Sequence, residues 1–173
     1  NWLSSVHFPV NALTGYAVGR VGTILKTTDG GANWTSQTSG TSNDLLSVHF
    51  PVDVITGYAV GMYGTILKTT DGGANWPLQA SIPARFLSSV HFPVDALTGY
   101  AVGAYDTSDI IIVKTTNGGV NWFEKISGTH PALYSIHFPI DALTGYGVGH
   151  WGIILKTTDG GTNLSLIHIS EPT

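Results

Sequence analysis

An internal repeat constrains the fold of this chain of 173 residues more than any other feature of its sequence. The repeat opens with LSSVHFPVNALTGYAVG in its first copy and with LYSIHFPIDALTGYGVG in its last copy. Successive copies place a histidine 42, 42 and 46 residues apart, and a period in the low forties is the length of one propeller blade. The copies begin at Leu3, Leu45, Leu87 and Leu133, and their histidines are His7, His49, His91 and His137.

Each copy contains four short strand-like segments, which in the first copy read SSVHF, GYAVG, GTILKTT and NWTSQT. Gly, Pro and Asp mark the junctions, and no segment has the length or spacing of an amphipathic helix. Four short strands in each repeat predict an all-β chain, namely a β-propeller fragment of about four four-stranded antiparallel blades. The predicted blades are about 3–42, 45–84, 87–130 and 133–163.

The two ends of the chain read differently from the repeats. Asn1 and Trp2 match the close of the TTDGGANW element, which predicts a preceding blade and a larger ring. Residues 164–173, LSLIHISEPT, resemble a translated sequencing-library adapter, and we interpret them as a non-native tail outside the fold. An open stack of blades exposes apolar faces and a strand edge, so we expect marginal stability and a tendency to associate.

A second motif, TTDGGANW, recurs between the third and fourth strand-like segments of the copies. An Asp in such a turn accepts hydrogen bonds from nearby backbone N–H groups, and the Gly pair permits positive φ. The Trp begins the outer strand and presents its ring to the turn and to the next blade. We therefore predict a structural role for Asp29, Trp34, Asp71, Trp76, Asn117, Trp122 and Asp159.

This element resembles the Asp-box, or BNR-like, repeat of sialidases, sortilin-type receptors and xyloglucanase-type glycosidases. Together with VHFPVDALTGYAVGxxGTILKTTDGG it is most similar to the photosystem II assembly and stability factor type of propeller, which also occurs in secreted bacterial proteins. The resemblance covers about 160 of the 173 residues. It implies a propeller whose functional site lies opposite the boxes, and it favours an extracytoplasmic location (secreted, periplasmic or cell surface).

Composition excludes several classes of partner. With seven basic residues and a net charge of −4, the chain has no basic stripe to neutralise a phosphate backbone, which argues against nucleic acid. No apolar run reaches the roughly 18 residues that cross a bilayer, and the absence of Cys removes thiolate metal sites. The four repeated histidines suit either a metal-binding ring or packing between blades, and packing is favoured. No cofactor and no metal are predicted.

Differences between the copies show which positions the blade fold does not constrain. The segments between strands two and three, and those that join one blade to the next, carry charged and aromatic residues that do not repeat. In an up-and-down blade both sets of loops emerge on the face opposite the boxes. Exposed Tyr, Trp and Arg on such loops are typical of recognition surfaces. The binding hypothesis therefore names Arg20, Tyr63, Arg85, Tyr105, Asp106, Asp109, His150 and Trp151.

These residues favour a non-catalytic scaffold that binds a protein, or a polysaccharide, through the face opposite the boxes. The first alternative is a fragment of a sialidase-like or xyloglucanase-like glycoside hydrolase, which requires paired carboxyl groups or an arginine cluster. The chain has only two arginines, and its unrepeated acids, none in an acid/base context, are Asp44, Asp106, Asp109 and Glu124. A structural repeat of a large surface protein is the second alternative.

Overall fold

The computed structural model describes residues 2–82, 84–105, 109–125 and 132–167, and it confirms the all-β prediction. Within these ranges the regular structure is sixteen strands in four antiparallel sheets, with a short turn at His150–Gly152 whose last two residues have positive φ. None of the described helical segments is long and apolar enough to cross a membrane.

The four sheets are the four blades, numbered here in chain order. Blade 1 contains β1 Leu3–His7, β2 Gly15–Gly19, β3 Ile24–Thr27 and β4 Thr35–Gln37. Blade 2 contains β5 Leu45–His49, β6 Gly57–Gly61, β7 Thr65–Thr69 and β8 Leu78–Ser81. Blade 3 contains β9 Phe86–His91, β10 Gly99–Ala104, β11 Ile110–Thr115 and β12 Phe123–Lys125. Blade 4 contains β13 Leu133–His137, β14 Gly145–Gly149, β15 Ile154–Thr157 and β16 Ser165–Ile167.

Every blade is a meander in which neighbouring strands pair in sequence order. In blade 1 the register places Tyr16 opposite His7 on one side and opposite Lys26 on the other. The first strand slips by one residue between Leu3 and Ser5, which leaves Ser4 as a bulge. The same slip occurs in the other blades, and a bulge of this kind redirects one side chain.

Apolar cores lie between the blades. In the first core, Tyr16 and Val18 of blade 1 pack against Leu45, Val48 and Phe50 of blade 2, and all five are buried. The second and third cores join blades 2 and 3 and blades 3 and 4 in the same way. The first strands of successive blades also contact one another, so they form the inner wall of the arc. Burying two-sided sheets against neighbours in this manner is what stabilises a repeat array.

The box tryptophans take a different direction from the one expected from the sequence. Trp76 is buried in the core with Tyr16 of blade 1, so its ring faces the preceding blade rather than the next one. It also precedes the outer strand instead of beginning it, since pairing in that strand starts at Leu78. Trp122 likewise lies just before β12 and packs at the core between blades 2 and 3.

The last blade gains its fourth strand from the segment that the sequence interpretation set aside. Ser165–Ile167 pairs with β15 through Ile154, Leu155 and Lys156. All three residues of this strand are exposed. Backbone hydrogen bonds supply this pairing without requiring particular side chains, so the outer edge accepts a sequence unlike that of β4 or β8. The non-native origin of residues 164–173 stays a prediction.

Candidate functional site

Hydrogen bonds between loops define two faces of the arc. On one face, the N–H of Gly30 in the Asp box donates to the carbonyl of Leu13 in the turn between strands one and two, at 2.9 Å. On the other face, the N–H of Gly22 in the turn between strands two and three donates to Asn43 in the connection to blade 2, at 3.0 Å. We call these the box face and the variable face. The variable face therefore consists of the turns between strands two and three together with the connections between blades.

On the box face, each Asp closes its own turn. The Oδ1 atom of Asp29 accepts hydrogen bonds from the Thr27 hydroxyl at 2.7 Å and from the Asn33 N–H at 2.9 Å, while Oδ2 accepts from the Asn33 amide at 2.8 Å. These bonds, with Asn33 the largest contributor, lower the pKa of Asp29 to about 2. Both glycines of this turn, Gly30 and Gly31, have positive φ. The carboxylate is thus committed to holding the hairpin.

Blade 3 shows which part of this arrangement is essential, because its box carries Asn117. The Asn117 Oδ1 atom still accepts from the Thr115 hydroxyl and from the Asn121 N–H, both at 3.0 Å. Among the described residues, Asn121 makes no side-chain bond to Asn117 like the one that Asn33 makes to Asp29, because an amide nitrogen replaces the second carboxylate oxygen. An oxygen at one position is therefore sufficient for the turn, which supports a structural role for the box.

The box also forms the joint between blades. The hydroxyl of Tyr16 in blade 1 lies 2.8 Å from the carbonyl of Val54 and 3.0 Å from that of Gly72, and the Lys26 Nζ donates to the same Gly72 carbonyl at 2.8 Å. Burial, with smaller contributions from the acids of the adjoining blade, raises the pKa of Tyr16 to about 12. The phenol therefore stays protonated and donates. Tyr58 with Lys68 and Tyr100 with Lys114 repeat this contact in blades 2 and 3.

The four histidines form a column along the inner wall. The ring centroids of His7 and His49 are 4.9 Å apart, and His91 follows at 5.0 Å from His49. The first three rings each accept a backbone hydrogen bond from the next blade, as when the Phe50 N–H donates to His7 Nδ1 at 3.0 Å. Burial, reinforced by the neighbouring histidines, lowers the pKa of His49 to about 3. No cluster of three or more His, Asp or Glu in the described ranges has the geometry to hold a metal ion.

On the variable face, three turns share an unusual backbone. Residues 20–23, 62–65 and 150–153 each close with a hydrogen bond from the fourth residue to the first, and their two central residues have positive φ. This is the type I′ turn, whose first central position is normally Asn, Asp or Gly. Here that position holds Val21, Tyr63 and Trp151, with φ of 55°, 56° and 57° and exposures of 63%, 65% and 76%.

The first group of predicted residues surrounds Arg20. Its Nε atom lies 3.3 Å from the Asp44 carboxylate, and its guanidinium lies 5.3 Å from the centroid of the Trp2 ring. Asp44 also accepts a hydrogen bond from the N–H of Val21 at 2.8 Å, so it supports the turn. Trp2 and Asp44 were absent from the predicted binding set.

The second group lies where blades 2 and 3 meet. The N–H of Tyr63 donates to the carbonyl of Arg85, whose own N–H donates to Ala104, each at 2.9 Å. The N–H of Tyr105 donates to the carbonyl of Asp109, also at 2.9 Å. Backbone contacts thus hold four of the predicted residues along one line of loops. Asp106, the remaining predicted residue of this loop, lies outside the described residues.

Glu124 joins the second group through a contact that the sequence did not indicate. Its carboxylate accepts a hydrogen bond from the Tyr105 hydroxyl at 3.1 Å. The loop between β10 and β11 is longer than the other turns, and this bond links it to the outer strand. Burial and the bond to Glu124 together raise the pKa of Tyr105.

The third group lies on blade 4. The hydroxyl of Tyr134 and the Nδ1 atom of His150 share a hydrogen bond of 2.9 Å, and the His150 ring meets Trp151 edge-on with 5.3 Å between centroids. Tyr134 was missed by the sequence interpretation. The sequence feature that could have identified it is variation between copies at one position inside the first strand, since the equivalent bulge positions hold Ser4, Leu46 and Ser88.

Comparisons with known proteins agree with this architecture. A family model described as photosynthesis system II assembly factor YCF48 matches residues 1–85. No curated protein sequence matches the chain. A structure of YCF48 bound to D1 peptide superimposes with a TM-score of 0.75 at 20% identity, covering 97% of this chain and 53% of that one.

Two further solved structures are similar. YCF48 from Cyanidioschyzon merolae gives a TM-score of 0.72 at 20% identity, with 97% of this chain and 56% of that chain covered. The structure of an ancestral GH74 enzyme superimposes with a TM-score of 0.75 at 22% identity, and the match covers 95% of this chain but 24% of the enzyme. This chain therefore spans about half the length of the YCF48 structures that it matches. Its four Asp-box blades make the chain a BNR-like β-propeller, and residues 1–85 match the model of the photosystem II assembly factor YCF48.

Proposed function

We propose that this chain is a non-catalytic propeller scaffold that binds a protein partner through its variable face. The observation that carries the proposal is the conformation of Tyr63 and Trp151, two exposed aromatic residues in left-handed backbone. Asn or Gly at these positions would relieve strain of about 1–2 kcal/mol per residue. Folding alone does not account for the aromatic choice, whereas large rigid rings are suited to anchoring a partner.

The surroundings of these rings fit recognition of a peptide chain. Arg85 is exposed near Tyr63, and His150 with Tyr134 adjoins Trp151. The groups therefore combine aromatic faces with hydrogen-bond donors and acceptors, which is the usual composition of an interface centre. A YCF48 structure contains a bound D1 peptide, and this supports a protein segment as the class of partner.

The test uses a displayed library of random peptides selected against the full chain. Selected peptides are then measured against Tyr63→Asn and Trp151→Asn, with Val21→Asn as the matched control at the equivalent turn position. We expect the two aromatic variants to lose at least about tenfold in affinity, as for interface anchors, and to gain stability because Asn suits a type I′ turn.

The control separates recognition from turn chemistry. Val21→Asn changes the same backbone position but removes no ring, so it should gain stability and keep its affinity. Equal affinity of the selected peptides for the unmodified chain and both aromatic variants would refute the proposed surface.

The similarity to the GH74 enzyme favours a glycoside hydrolase as the second candidate function. Two of the three unrepeated carboxylates in the described part of the chain have identified partners: Asp44 is bound to Arg20 and the Val21 N–H, and Glu124 is bound to Tyr105. Neither contact is typical of a general acid. Release of reducing sugar from xyloglucan by the full chain, abolished by Asp44→Asn or Glu124→Gln, would favour the enzyme over the scaffold.

A further inference from the structure

The box of blade 3 contains a dipeptide that the other boxes lack. Asn117 and Gly118 form the only Asn-Gly pair in the sequence, whereas the equivalent positions of the other blades hold Asp-Gly. Asn117 is exposed. A glycine after an asparagine has no Cβ to shield its backbone nitrogen, so that nitrogen reaches the side-chain amide of the asparagine more easily than in any other dipeptide. The pair is therefore a candidate site of spontaneous chemical modification.

The reaction is deamidation, and water is its only other reactant. The backbone nitrogen of Gly118 forms a bond to Cγ of Asn117, the bond from Cγ to Nδ2 breaks, and the leaving nitrogen takes the Gly118 proton and departs as ammonia. Water then opens the cyclic imide. Attack at the side-chain carbonyl gives an aspartate with the ordinary main chain. Attack at the main-chain carbonyl gives an isoaspartate, whose main chain is longer by a methylene.

The closed box holds both reacting groups away from this reaction. The Gly118 N–H donates to the carbonyl of Leu97 at 2.9 Å, and Gly118 is buried. The Asn117 Oδ1 atom accepts from the Thr115 hydroxyl and from the Asn121 N–H, both at 3.0 Å. These bonds fix the Asn117 side chain and occupy the attacking nitrogen. Deamidation therefore requires the box to open.

Blade 2 fastens the box in its closed position. The carbonyl of Gly118 lies 3.0 Å from the Tyr58 hydroxyl and accepts a hydrogen bond from the Lys68 Nζ at 2.7 Å. The same Tyr58 hydroxyl lies 2.9 Å from the carbonyl of Ala96, in the neighbouring turn of blade 3. Segments of a folded protein open locally with free energies set by the contacts that hold them. The junction between blades 2 and 3 thus controls access to Asn117.

An aspartate at position 117 gains a contact that Asn117 lacks. In the other three boxes the second carboxylate oxygen accepts a hydrogen bond from an asparagine amide, at 2.8, 2.7 and 2.6 Å. The pairs are Asn33 with Asp29, Asn75 with Asp71, and Asn163 with Asp159. Deamidation replaces the Asn117 amide nitrogen, which only donates, by an oxygen that accepts from the Asn121 amide. Hydrogen bonds to an ionised acceptor are stronger than neutral ones.

We propose that Asn117 is a site of spontaneous deamidation that is gated by the junction between blades 2 and 3, and that the aspartate product strengthens the box of blade 3. The closed junction slows the reaction, and each local opening permits it. The aspartate product then makes the same side-chain bond as the other boxes. The isoaspartate product lengthens the turn and moves Gly118 away from Leu97, so it weakens the same box.

The first experiment incubates the full chain in mildly alkaline buffer, with and without urea above the unfolding midpoint, and follows tryptic peptides by mass spectrometry. Residues 115–125 carry Asn117 and Asn121, and residues 69–85 carry Asn75. The last two asparagines are internal controls, because each precedes a bulky Trp that hinders attack. In urea, Asn117 should convert while both controls stay intact. Without urea, its conversion should be at least about tenfold slower.

A matched pair of variants tests the gate. Tyr58→Phe removes one hydroxyl from the Gly118 carbonyl and should raise the rate at Asn117 without urea by about fivefold or more. Tyr16→Phe makes the same change at the junction between blades 1 and 2 and should leave that rate unchanged. Equal rates with and without urea, or equal acceleration by both variants, would overturn the gate. Conversion of Asn75 or Asn121 as fast as Asn117 would overturn the site.

A second measurement tests the product separately from the rate. Asn117→Asp should unfold at a higher urea concentration than the unmodified chain. Adding Asn121→Ala to this variant should remove the gain, because the Asn121 amide is the donor of the new bond. An unchanged or lower midpoint for Asn117→Asp, or a gain that persists without the Asn121 amide, would overturn the strengthened box.

Discussion

The Tyr hydroxyl at the blade junction gives the sharpest test of what holds the arc together. The Tyr58 hydroxyl lies 2.9 Å from the carbonyl of Ala96 and 3.0 Å from that of Gly118, and the side chain is buried. Tyr58→Phe removes this donor. The Gly118 carbonyl keeps its bond from Lys68 at 2.7 Å, but the Ala96 carbonyl loses the Tyr58 donor.

The expected loss follows from these contacts. A buried hydrogen bond contributes about 1 kcal/mol net, and leaving its acceptor unpaired adds to the loss, so Tyr58→Phe should lower the free energy of unfolding by about 1–2 kcal/mol. With a urea m-value of about 2 kcal/mol/M, the midpoint should fall by about 0.5–1 M. Tryptophan fluorescence and circular dichroism during a urea titration measure this shift.

The repeat provides a matched control for the same substitution. Tyr146 occupies the equivalent position in blade 4, where the described residues offer its hydroxyl no acceptor and leave the ring partly exposed. Tyr146→Phe should change the free energy of unfolding by less than about 0.5 kcal/mol, at a concentration where the chain is monomeric. Equal losses for Tyr58→Phe and Tyr146→Phe would refute the view that the junction bond, rather than the Tyr residue itself, supplies the stability.

Three further predictions address the box, the inner wall and the second strands. Asp71→Asn should destabilise the chain less than Asp71→Ala in urea titrations, because Asn117 already closes the box of blade 3 with an amide oxygen. Stability should fall from pH 6.5 downwards, because the unfolded chain protonates His49 at its ordinary pKa whereas the folded chain does so only at about 3. Because this ring is buried, the free energy of unfolding should fall by about 2 kcal/mol between pH 6.5 and about pH 5. Urea titration at each pH measures this change. Gly61→Ala should cost about 1–3 kcal/mol because its Cβ would overlap the backbone carbonyl of Asp44, whereas Gly147→Ala should be tolerated because its Cβ meets only the flexible end of Leu133.

Each of these predictions has an outcome that contradicts it. Asp71→Asn and Asp71→Ala with identical midpoints would show that the side-chain oxygen does not hold the box. A stability that is constant between pH 7 and about pH 4 would mean that the histidine column stays hydrated in the folded chain. A Gly61→Ala variant as stable as Gly147→Ala would indicate that the bulged start of β5 shifts freely.

Much of the blade was predictable because its determinants are local. The period of the repeat, the strand Gly15–Gly19 and the box around Asp29 are read from residues that contact neighbours a few positions away. The opposite locations of the variable loops and the boxes follow from counting strands in a meander. These features depend on turn chemistry and on strand alternation, which the sequence displays directly.

The contacts between blades could not be read in the same way. The Tyr16 hydroxyl meets Gly72 at a separation of 56 residues, and Trp76 faces the preceding blade rather than the next. Tyr134 reaches His150 only because a bulge redirects it, and the positive φ of Tyr63 and Trp151 depends on how two strands close.

The sequence by itself determined that this chain consists of Asp-box propeller blades. It also determined which loops differ between the repeats. Only the tertiary structure decided which neighbour each side chain meets. The physical reason is that every blade carries the same contact groups, so the repeats are nearly identical in sequence. Tyr58 is buried because blade 3 packs against it, and no property of the individual repeat encodes which blade lies beside it.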